Sequence, residues 1–258
     1  MKVIDFIVRS NEQLNYQNNL LKVSPADGSP LGDMQPGQFV QILADNSPYT
    51  FLRRPISINL VDREKNEMWL LVQQVGHGTK GICEKKEGDR LNIVFSLGQT
   101  FTMPNDKGAK TLLVGGGVGT APMLFLGKKL SEHGFEPHFL LGGRSERDLL
   151  QLDEFDKYGQ VYCTTEDGTK GEKGYVTNHS ILEQNKYDYI YTCGPKPMMV
   201  AVAHYAHNNN IECEVSLENL MACGFGACLC CIEPTVRGNV CSCTEGPVFN
   251  IKELKWID

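Results

Sequence analysis

The sequence predicts a chain of combined β and α/β architecture in three parts. These are an N-terminal antiparallel β-barrel over residues 1–103, a doubly wound parallel-sheet domain over residues 104–215 and a small C-terminal lobe over residues 216–258. Short β-rich segments fill the first part, strands alternate with helices in the second, and six of the ten cysteines lie within the last 36 residues.

The first part contains short segments of alternating or β-branched residues, each bounded by turn-forming residues. The predicted strands span residues 3–10, 20–24, 37–44, 55–61, 68–75 and 90–97. Turn signals are Asp27-Gly28, Pro36-Gly37, Asn46–Pro48 and Gly88-Asp89. Period-two segments at this spacing are typical of an antiparallel barrel or sandwich.

The periodicity changes after a loop at residues 104–108. Predicted strands span residues 111–117, 135–143, 160–168, 187–195 and 211–217, and predicted helices span residues 121–134, 146–159, 178–185 and 197–210. Strands that alternate with helices in this way form a parallel sheet that is covered on both faces.

The C-terminal cysteines have the spacing of a metal cluster. Cys223-x4-Cys228-x2-Cys231, with Cys243 further on, matches the ligand spacing of a plant-type 2Fe-2S cluster. A structural zinc site normally pairs two Cys-x2-Cys units, which these gaps do not reproduce. Disulfides require an oxidising compartment, and the first 15 residues lack the pattern of a secretory signal. We therefore expect an electron carrier in the cytoplasm.

The composition disfavours two classes of partner. With a net charge of −6, the chain has no basic stripe for a nucleic-acid backbone. No apolar run approaches the ~18 residues of a membrane span. We expect neither nucleic acid nor membrane as a partner.

A glycine loop follows the first strand of the α/β part. Residues 115–122, GGGVGTAP, precede a predicted helix, so backbone amides there could bind the pyrophosphate of a dinucleotide. The loop lacks the spacing G-x-G-x-x-G, and a purely structural tight turn is the alternative. Cys193-Gly194-Pro195 ends a later strand of the same sheet, and we expect it to border the same crevice. In the alternative interpretation, Cys193 is a small core residue and Pro195 only ends the strand.

The barrel carries a third motif, Arg53-Arg54-Pro55-Ile56-Ser57, followed by Gly76-His77-Gly78-Thr79. An arginine can bind a diphosphate through two hydrogen bonds, and Thr79 is predicted to cap a short helix through residues 83–86. In the alternative interpretation, both arginines are ordinary surface charges. His77 fits a turn better than a catalytic role.

Taken together, these motifs resemble the electron-transfer subunits of bacterial NAD-dependent dihydroorotate dehydrogenases, a family within the ferredoxin-reductase superfamily. The resemblance covers the whole chain. Its specific part is the terminal MACGFGACLCC followed by CTEGPVF, since Arg-x-x-Ser, GGGVGTAP and CGP fit many flavoproteins. The family resemblance implies FAD and a 2Fe-2S cluster as cofactors and NAD as co-substrate.

The resemblance also implies which residues bind FAD and NAD. Arg54 would contact the FAD phosphates and Ser57 the reactive edge of the flavin. The FAD set is Arg54, Pro55, Ile56, Ser57, Leu71, Val72, Gln73, Gly78 and Thr79. The NAD set is Gly115, Gly116, Gly117, Val118, Gly119, Thr120, Ala121, Pro122, Cys193, Gly194 and Pro195. The superfamily usually has an aromatic residue at the position of Ile56, so the residue that stacks on the flavin is not identified.

The implied cluster ligands are Cys223, Cys228, Cys231 and Cys243. Cys243 is favoured over Cys241 because it directly precedes the segment 244–249, TEGPVF, where the family has its fourth ligand. Spacing alone leaves Cys241 and Cys230 open as ligands. The sequence also leaves NADP open, because Arg144 or Arg147 could meet a 2′-phosphate whereas Glu146 would repel one.

The resemblance implies a relay in de novo pyrimidine biosynthesis. A partner, the FMN-containing catalytic subunit, would oxidise dihydroorotate in a heterotetramer with two subunits of each kind. Its electrons would reach NAD through the cluster and FAD, because a cluster passes single electrons whereas NAD exchanges hydride. Two alternatives are a ferredoxin:NAD(P) reductase-type flavoprotein with a different partner, which tends to have aspartate at the position of Cys223, and a non-catalytic redox sensor.

Overall fold

A computed structural model describes residues 2–45 and 49–257, so the predicted turn at Asn46–Pro48 lies outside the described residues. The N-terminal strands are β1 (Lys2–Gln13), β2 (Asn18–Pro25), β3 (Phe39–Ile42), β4 (Arg54–Asp62), β5 (Glu67–Gln73) and β6 (Arg90–Leu97). They form a closed antiparallel barrel in the order β1-β2-β5-β4-β3-β6. This confirms the predicted barrel.

The strand β3 shows how alternation separates the two faces of the barrel wall. Val40 and Ile42 are fully buried in the barrel core, together with Phe6 and Leu70. Phe39 packs on the outside, in a separate apolar cluster that contains C-terminal cysteines. Because successive side chains of a strand point to opposite faces, β3 joins the barrel core to the C-terminal lobe.

One short helix, α1 (His77–Cys83), connects β5 to β6. The prediction that Thr79 caps a short helix running through residues 83–86 is wrong, because the helix begins at His77 with Gly76 as its N-cap and ends at Cys83. Thr79 lies in the first turn, where its hydroxyl oxygen accepts hydrogen bonds from the backbone N–H groups of Val75 and Gly76 at 3.0 and 3.2 Å. The threonine thus stabilises the helix start from inside the helix.

The second part is built on a seven-stranded sheet. Its strands are β7 (Thr111–Gly116), β8 (His138–Gly143), β9 (Gln160–Thr165), β10 (Glu172–Lys173), β11 (Tyr189–Cys193), β12 (Glu212–Ser216) and β15 (Val248–Asn250), in the order β10-β9-β8-β7-β11-β12-β15. All neighbouring strands are parallel except β15, which pairs antiparallel with β12. The doubly wound parallel sheet is confirmed, and the C-terminal segment adds an edge strand that was not predicted.

Helices cover the sheet and join it to the barrel. They are α2 (Thr120–Glu132), α3 (Leu152–Phe155), α4 (Ile181–Gln184) and α5 (Lys196–Asn208). Phe125 of α2 packs into the barrel core, and Leu60 and Trp69 of the barrel pack into the core on one face of the sheet. This exchange of apolar side chains fixes the barrel against the sheet.

Two predicted helices are wrong in length. Residues 146–159 form a 3-10 turn, Glu146–Asp148, and the four-residue helix α3. Between them Gln151 has a left-handed backbone with φ of 56°, and its side-chain amide donates to Asn59 of the barrel at 3.1 Å. Residues 178–185 likewise contain only α4, because Ser180 is bound to Glu172 through both its backbone N–H and its hydroxyl. Tertiary contacts override helix propensity in both segments.

The C-terminal segment forms a hairpin of β13 (Ile232–Thr235) and β14 (Gly238–Cys241) before it reaches the edge strand of the sheet. Its buried cysteines, Cys231 and Cys243, pack against Phe39, Val94 and Leu97 on the outside of the barrel. In the described part of the chain, no helix has the length and apolarity needed to cross a membrane.

Candidate functional site

A cleft of about 720 Å³ lies between the barrel and the sheet. The parallel strands β7 and β11 are neighbours in which Gly115 pairs with Cys193, so the loops that follow them meet at one end of the sheet. Gly117 and Val118 from the first loop and Pro195 from the second line this cleft, together with Gln73 from the barrel. The structure thus brings both predicted loops to a common crevice with the barrel.

Most of the residues predicted to bind NAD lie behind the surface of the cleft. Gly116, Gly117, Val118 and Pro195 line it, whereas the other members of the set are buried. These are Gly115, Gly119, Thr120, Ala121, Pro122, Cys193 and Gly194. A side chain at Gly119 would place its Cβ 2.4 Å from Cα of Gly194, so this glycine allows the two loops to pack against each other. Gly117 differs, because its φ of 57° requires glycine while the space around it is open.

Sequence reasoning missed an acidic residue of the cleft. Glu218 lines the cleft, and its carboxylate oxygen lies 4.0 Å from Sγ of Cys193. The side chain reaches solvent through the cleft, yet the surrounding protein atoms partly desolvate it and raise the pKa of its carboxyl group. Glu218 follows the strand next to Cys193, so the rule that ligands bind beyond the carboxyl ends of strands was the signal for it.

The opposite end of the cleft is acidic. Asp148 and Glu166 line it beside Arg144. Arg144 donates to the hydroxyl of Tyr16 at 2.6 Å and lies 3.6 Å from the carboxylate of Asp148. Tyr16 and Asp148 together raise the pKa of this guanidinium. The positive charge of Arg144 is therefore already paired with a carboxylate.

The two adjacent arginines of the barrel differ in their contacts. Arg53 donates to the backbone oxygens of Gln41 and Asn92 at 3.3 and 2.9 Å and also to the side chain of Asn92, so it holds the barrel wall. Among the described residues, the hydrogen bonds of Arg54 go only to the local carbonyls of Leu52 and Arg53. Its Nε lies 2.6 Å from where a Cβ on Gly78 would be, so the guanidinium lies directly on α1.

The other predicted flavin residues lie at one end of the β4–β5 ladder. Ile58 of β4 pairs with Leu70 of β5, so Pro55, Ile56 and Ser57 lie at the end that also carries Leu71, Val72 and Gln73. Ile56 packs partly against the barrel core, and Leu71 packs against Ala121 of the glycine loop. The residues predicted to bind FAD and those predicted to bind NAD therefore adjoin each other.

The C-terminal cysteines gather in one place. The thiols of Cys223 and Cys228 lie close enough to influence each other, as do those of Cys231 and Cys243. The backbone N–H of Gly226 donates to Sγ of Cys243 at 3.1 Å, which is the contact that stabilises a metal-bound thiolate. Although partial burial opposes ionisation, hydrogen bonds from the amides of the loop and from Cys228 lower the pKa of Cys223 to about 6.

The donor set fits an iron–sulfur cluster. All ten cysteines of the chain are free thiols. Cys241 also contacts Cys231, whereas Cys230 is exposed. Within residues 2–45 and 49–257, no three His, Cys, Asp or Glu side chains are arranged to hold a single metal ion. A 2Fe-2S cluster instead distributes four thiolates over two irons, and convergent thiols with amide donors are the groups it requires.

The cysteine lobe lies beside the predicted flavin edge. Phe39, which packs against Cys231 and Cys243, pairs with Ser57 across the β3–β4 ladder. Directly opposite residues of antiparallel strands project to the same face of the sheet. Phe39 thus links the cysteine lobe to the strand position opposite Ser57.

Comparison with known proteins agrees with this geometry. A family model described as the iron-sulfur cluster binding domain of dihydroorotate dehydrogenase B matches residues 218–255, and an oxidoreductase NAD-binding domain matches residues 113–204. A relative from Fusobacterium nucleatum, named dihydroorotate dehydrogenase B (NAD(+)), electron transfer subunit, is 34% identical, and the alignment covers 99% of each chain. The chain belongs to this family.

Other relatives and solved structures support the assignment. A protein of the same name from Caldanaerobacter subterraneus is 41% identical over 85% of this chain and 86% of the relative. The solved NADH-dependent reduced ferredoxin–NADP oxidoreductase superposes with a TM-score of 0.86 at 28% identity, covering 99% of this chain and 91% of the other. A ferredoxin reductase of carbazole 1,9a-dioxygenase, at 20% identity and a TM-score of 0.68 over 81% of this chain and 66% of the other, shares the fold. The chain is thus an NAD-dependent oxidoreductase subunit with a flavin-binding fold and an iron–sulfur domain.

Proposed function

We propose that this chain carries electrons from an FMN-containing dihydroorotate dehydrogenase catalytic subunit to NAD+ in de novo pyrimidine biosynthesis. The observation that carries the proposal is the continuity of three sites: the cysteines against Phe39, Phe39 opposite Ser57, and the barrel end against the cleft. When bound, FAD exchanges hydride with NAD and single electrons with a 2Fe-2S cluster. We propose domains at 1–103 for FAD, 104–215 for NAD and 216–258 for the cluster.

In this proposal the barrel holds FAD through the whole predicted set around Arg54 and Ser57. Arg54 binds the diphosphate, since its guanidinium lies over Gly78 and, among the described residues, donates only to local carbonyls. Arg53 is assigned to the barrel wall. Ser57 contacts the reactive edge of the flavin on the side that faces the cysteine lobe.

The cleft binds NAD. Gly117 and Val118 approach the pyrophosphate, while the buried members of the predicted set shape the loop behind them. The adenosine end of the cleft carries Asp148 and Glu166, and Arg144 is paired with Asp148. Carboxylates repel a 2′-phosphate, so this end favours NAD over NADP.

Cys223, Cys228, Cys231 and Cys243 are the proposed cluster ligands. Cys243 is preferred over Cys241 because it is 2% exposed and accepts a backbone hydrogen bond from Gly226. With ten free thiols, the chain suits a reducing compartment, and we propose a cytoplasmic location.

The catalytic subunit would dock on the exposed apolar tip of the cysteine lobe, in a heterotetramer of two subunits of each kind. Leu220, Phe225 and Leu229 are 85%, 50% and 61% exposed around the ligand cysteines. Apolar side chains at this density on a surface mark a protein contact. Docking here brings the partner close to the cluster.

Reconstitution tests the proposal. The chain, mixed with a catalytic subunit of this enzyme, should convert dihydroorotate and NAD+ to orotate and NADH. Phe225→Ser should weaken assembly and this activity, yet leave NADH-to-dye activity intact. Tyr175→Ser, an exposed aromatic residue in the cleft rather than on the lobe, is the matched control and should leave assembly unchanged. Full dihydroorotate-to-NAD+ activity without the partner would contradict the proposal.

A second function has one observation in its favour. The solved NADH-dependent reduced ferredoxin–NADP oxidoreductase has the same fold over nearly the whole chain. If this chain serves a different partner, reduced ferredoxin should reduce its flavin rapidly while the dihydroorotate-oxidising subunit fails to bind. The same reconstitution assay, run with ferredoxin, separates the two functions.

A further inference from the structure

Gln41 lies at the contact between the barrel wall and the cysteine loop. On β3 it alternates with Val40 and Ile42, which point into the barrel, and so its side chain faces outward with Phe39. A Cβ on Gly224 would lie 2.8 Å from both Cγ and Nε2 of Gln41. The amide end of Gln41 therefore lies against the loop that begins at Cys223.

The Gln41 amide is buried without a partner. The residue is 0% exposed, and neither Nε2 nor Oε1 has a hydrogen-bond partner among the described residues. Burying a carboxamide in this state is unfavourable, and buried polar groups in native proteins are almost always hydrogen-bonded. A group bound at the cysteine loop could supply the missing partner of this amide.

Sulfur is the acceptor that this loop is built to provide. The loop gathers the proposed ligand thiols, and the N–H of Gly226 already donates to Sγ of Cys243. Gln41 approaches the same loop from the barrel side with two N–H groups on one nitrogen. A glutamine in this position adds a side-chain donor to the backbone donors of the loop.

We propose that the Gln41 amide donates a hydrogen bond to a sulfur atom of the bound 2Fe-2S cluster and raises the reduction potential of that cluster. The physical reason is charge: reduction adds an electron to the cluster, and an N–H dipole directed at sulfur stabilises the more negative state. Gln41 would thus act from the barrel wall on a group that is held by the C-terminal lobe. The inference rests on the proposed function in one respect, the presence of the cluster.

The test is a redox titration of the cluster followed by EPR in the whole chain. Gln41→Met keeps the length of the side chain but removes its donors. We expect the cluster to load normally. Its one-electron equilibrium should shift about tenfold towards the oxidised form, which corresponds to a fall of about 59 mV in its reduction potential. An unchanged potential in a loaded Gln41→Met protein would overturn the inference.

Gln99 offers a matched control. Its side-chain amide also reaches the C-terminal lobe, but Nε2 already donates to the carbonyl of Thr244 at 2.8 Å. Gln99→Met should therefore leave the potential unchanged. A shift equal to that of Gln41→Met would indicate a general effect of loosening the lobe and would also overturn the inference.

Pulsed EPR gives a second readout that does not depend on a variant. With glutamine side-chain amides selectively labelled with ¹⁵N, the reduced cluster of the unaltered chain should show a ¹⁵N hyperfine coupling. A cluster signal without this coupling would contradict the role of Gln41 and leave the proposed function standing. The absence of iron, sulfide and any cluster signal would contradict the proposed function itself.

Discussion

The glycine loop at residues 115–122 and the cysteine loop at residues 223–231 both depend on glycine, but for different reasons. In the first loop, Gly119 fits against the backbone of Gly194, so other parts of the protein fill the space a side chain would take. In the second, Gly224 and Gly226 have φ of 81° and 85° and turn the chain so that thiols converge. The first loop is completed by packing, whereas the second leaves thiols and the Gln41 amide for a bound group to satisfy.

Loss of one buried thiol in the cysteine loop should have the largest effect. Cys231 is 3% exposed in contact with Cys243, so Cys231→Ser places a harder oxygen ligand in the centre of the set. We expect most of the iron and acid-labile sulfide to be lost. Cys230→Ser, at the exposed neighbour, should keep both. If the two variants retain equal iron, Cys231 is not a ligand.

A methyl group at Gly119 should act on folding rather than on a ligand. Gly119→Ala places a Cβ within 2.6 Å of Cys193 and Gly194 atoms, and we expect a loss of about 3 kcal/mol in the free energy of unfolding. Gly117→Ala meets open space and suffers only from its φ of 57°, at about 1–2 kcal/mol. Denaturant unfolding measures both, and a smaller loss for Gly119→Ala would refute the packing role.

In the barrel, the adjacent residues Arg53 and Arg54 differ in the same way, one serving the fold and the other a bound group. Arg53→Ala removes bonds to Gln41 and Asn92 and should lower the free energy of unfolding by about 2 kcal/mol. Arg54→Ala should leave unfolding nearly unchanged and weaken FAD binding about tenfold, since one charge-assisted contact to phosphate is lost. Flavin fluorescence on dilution reports release of FAD. Tighter retention of FAD in Arg54→Ala than in Arg53→Ala would contradict these assignments.

The smallest effect concerns two glutamates with opposite pKa shifts. Surrounding protein raises the pKa of Glu218, so the folded state favours its neutral form, and this contribution to stability is lost as pH rises through the folded pKa. Glu218→Gln should therefore raise the thermal midpoint slightly at pH 7–8 but not at pH 4. Lys252 lowers the pKa of Glu212, so Glu212→Gln should lower the midpoint slightly at neutral pH instead. A change of the thermal midpoint in the same direction for both variants at neutral pH would contradict the opposite pKa shifts of the two glutamates.

The sequence predicted the elements whose stability is local or strongly periodic. The barrel strands, the helices at 121–134 and 197–210 and the convergence of both loops on one crevice were read from periodicity and the strand-end rule. The helix at 146–159 was wrong because Gln151 binds Asn59, which lies 92 residues away in the chain. The three-residue strand β15 is too short to give a pattern.

The candidate site shows the same division. The spacing of the cysteines predicted that they converge, and the rule that ligands bind beyond the carboxyl ends of strands predicted the cleft. Both features depend on residues that are close together in the sequence. Gln41 carries no such signal, since its importance comes from burial against Gly224 across the barrel wall. The difference between Arg53 and Arg54 likewise follows from Asn92, a partner on another strand.

Rapid mixing of the isolated, cofactor-loaded chain with each of the two substrates shows directly which sites it carries. We expect the NAD and flavin sites on this chain and the dihydroorotate site on the partner. NADH should bleach the flavin absorbance rapidly, and Arg54→Ala reloaded with excess FAD should still respond. Dihydroorotate should leave the flavin oxidised. Rapid bleaching by dihydroorotate without the partner would contradict the account.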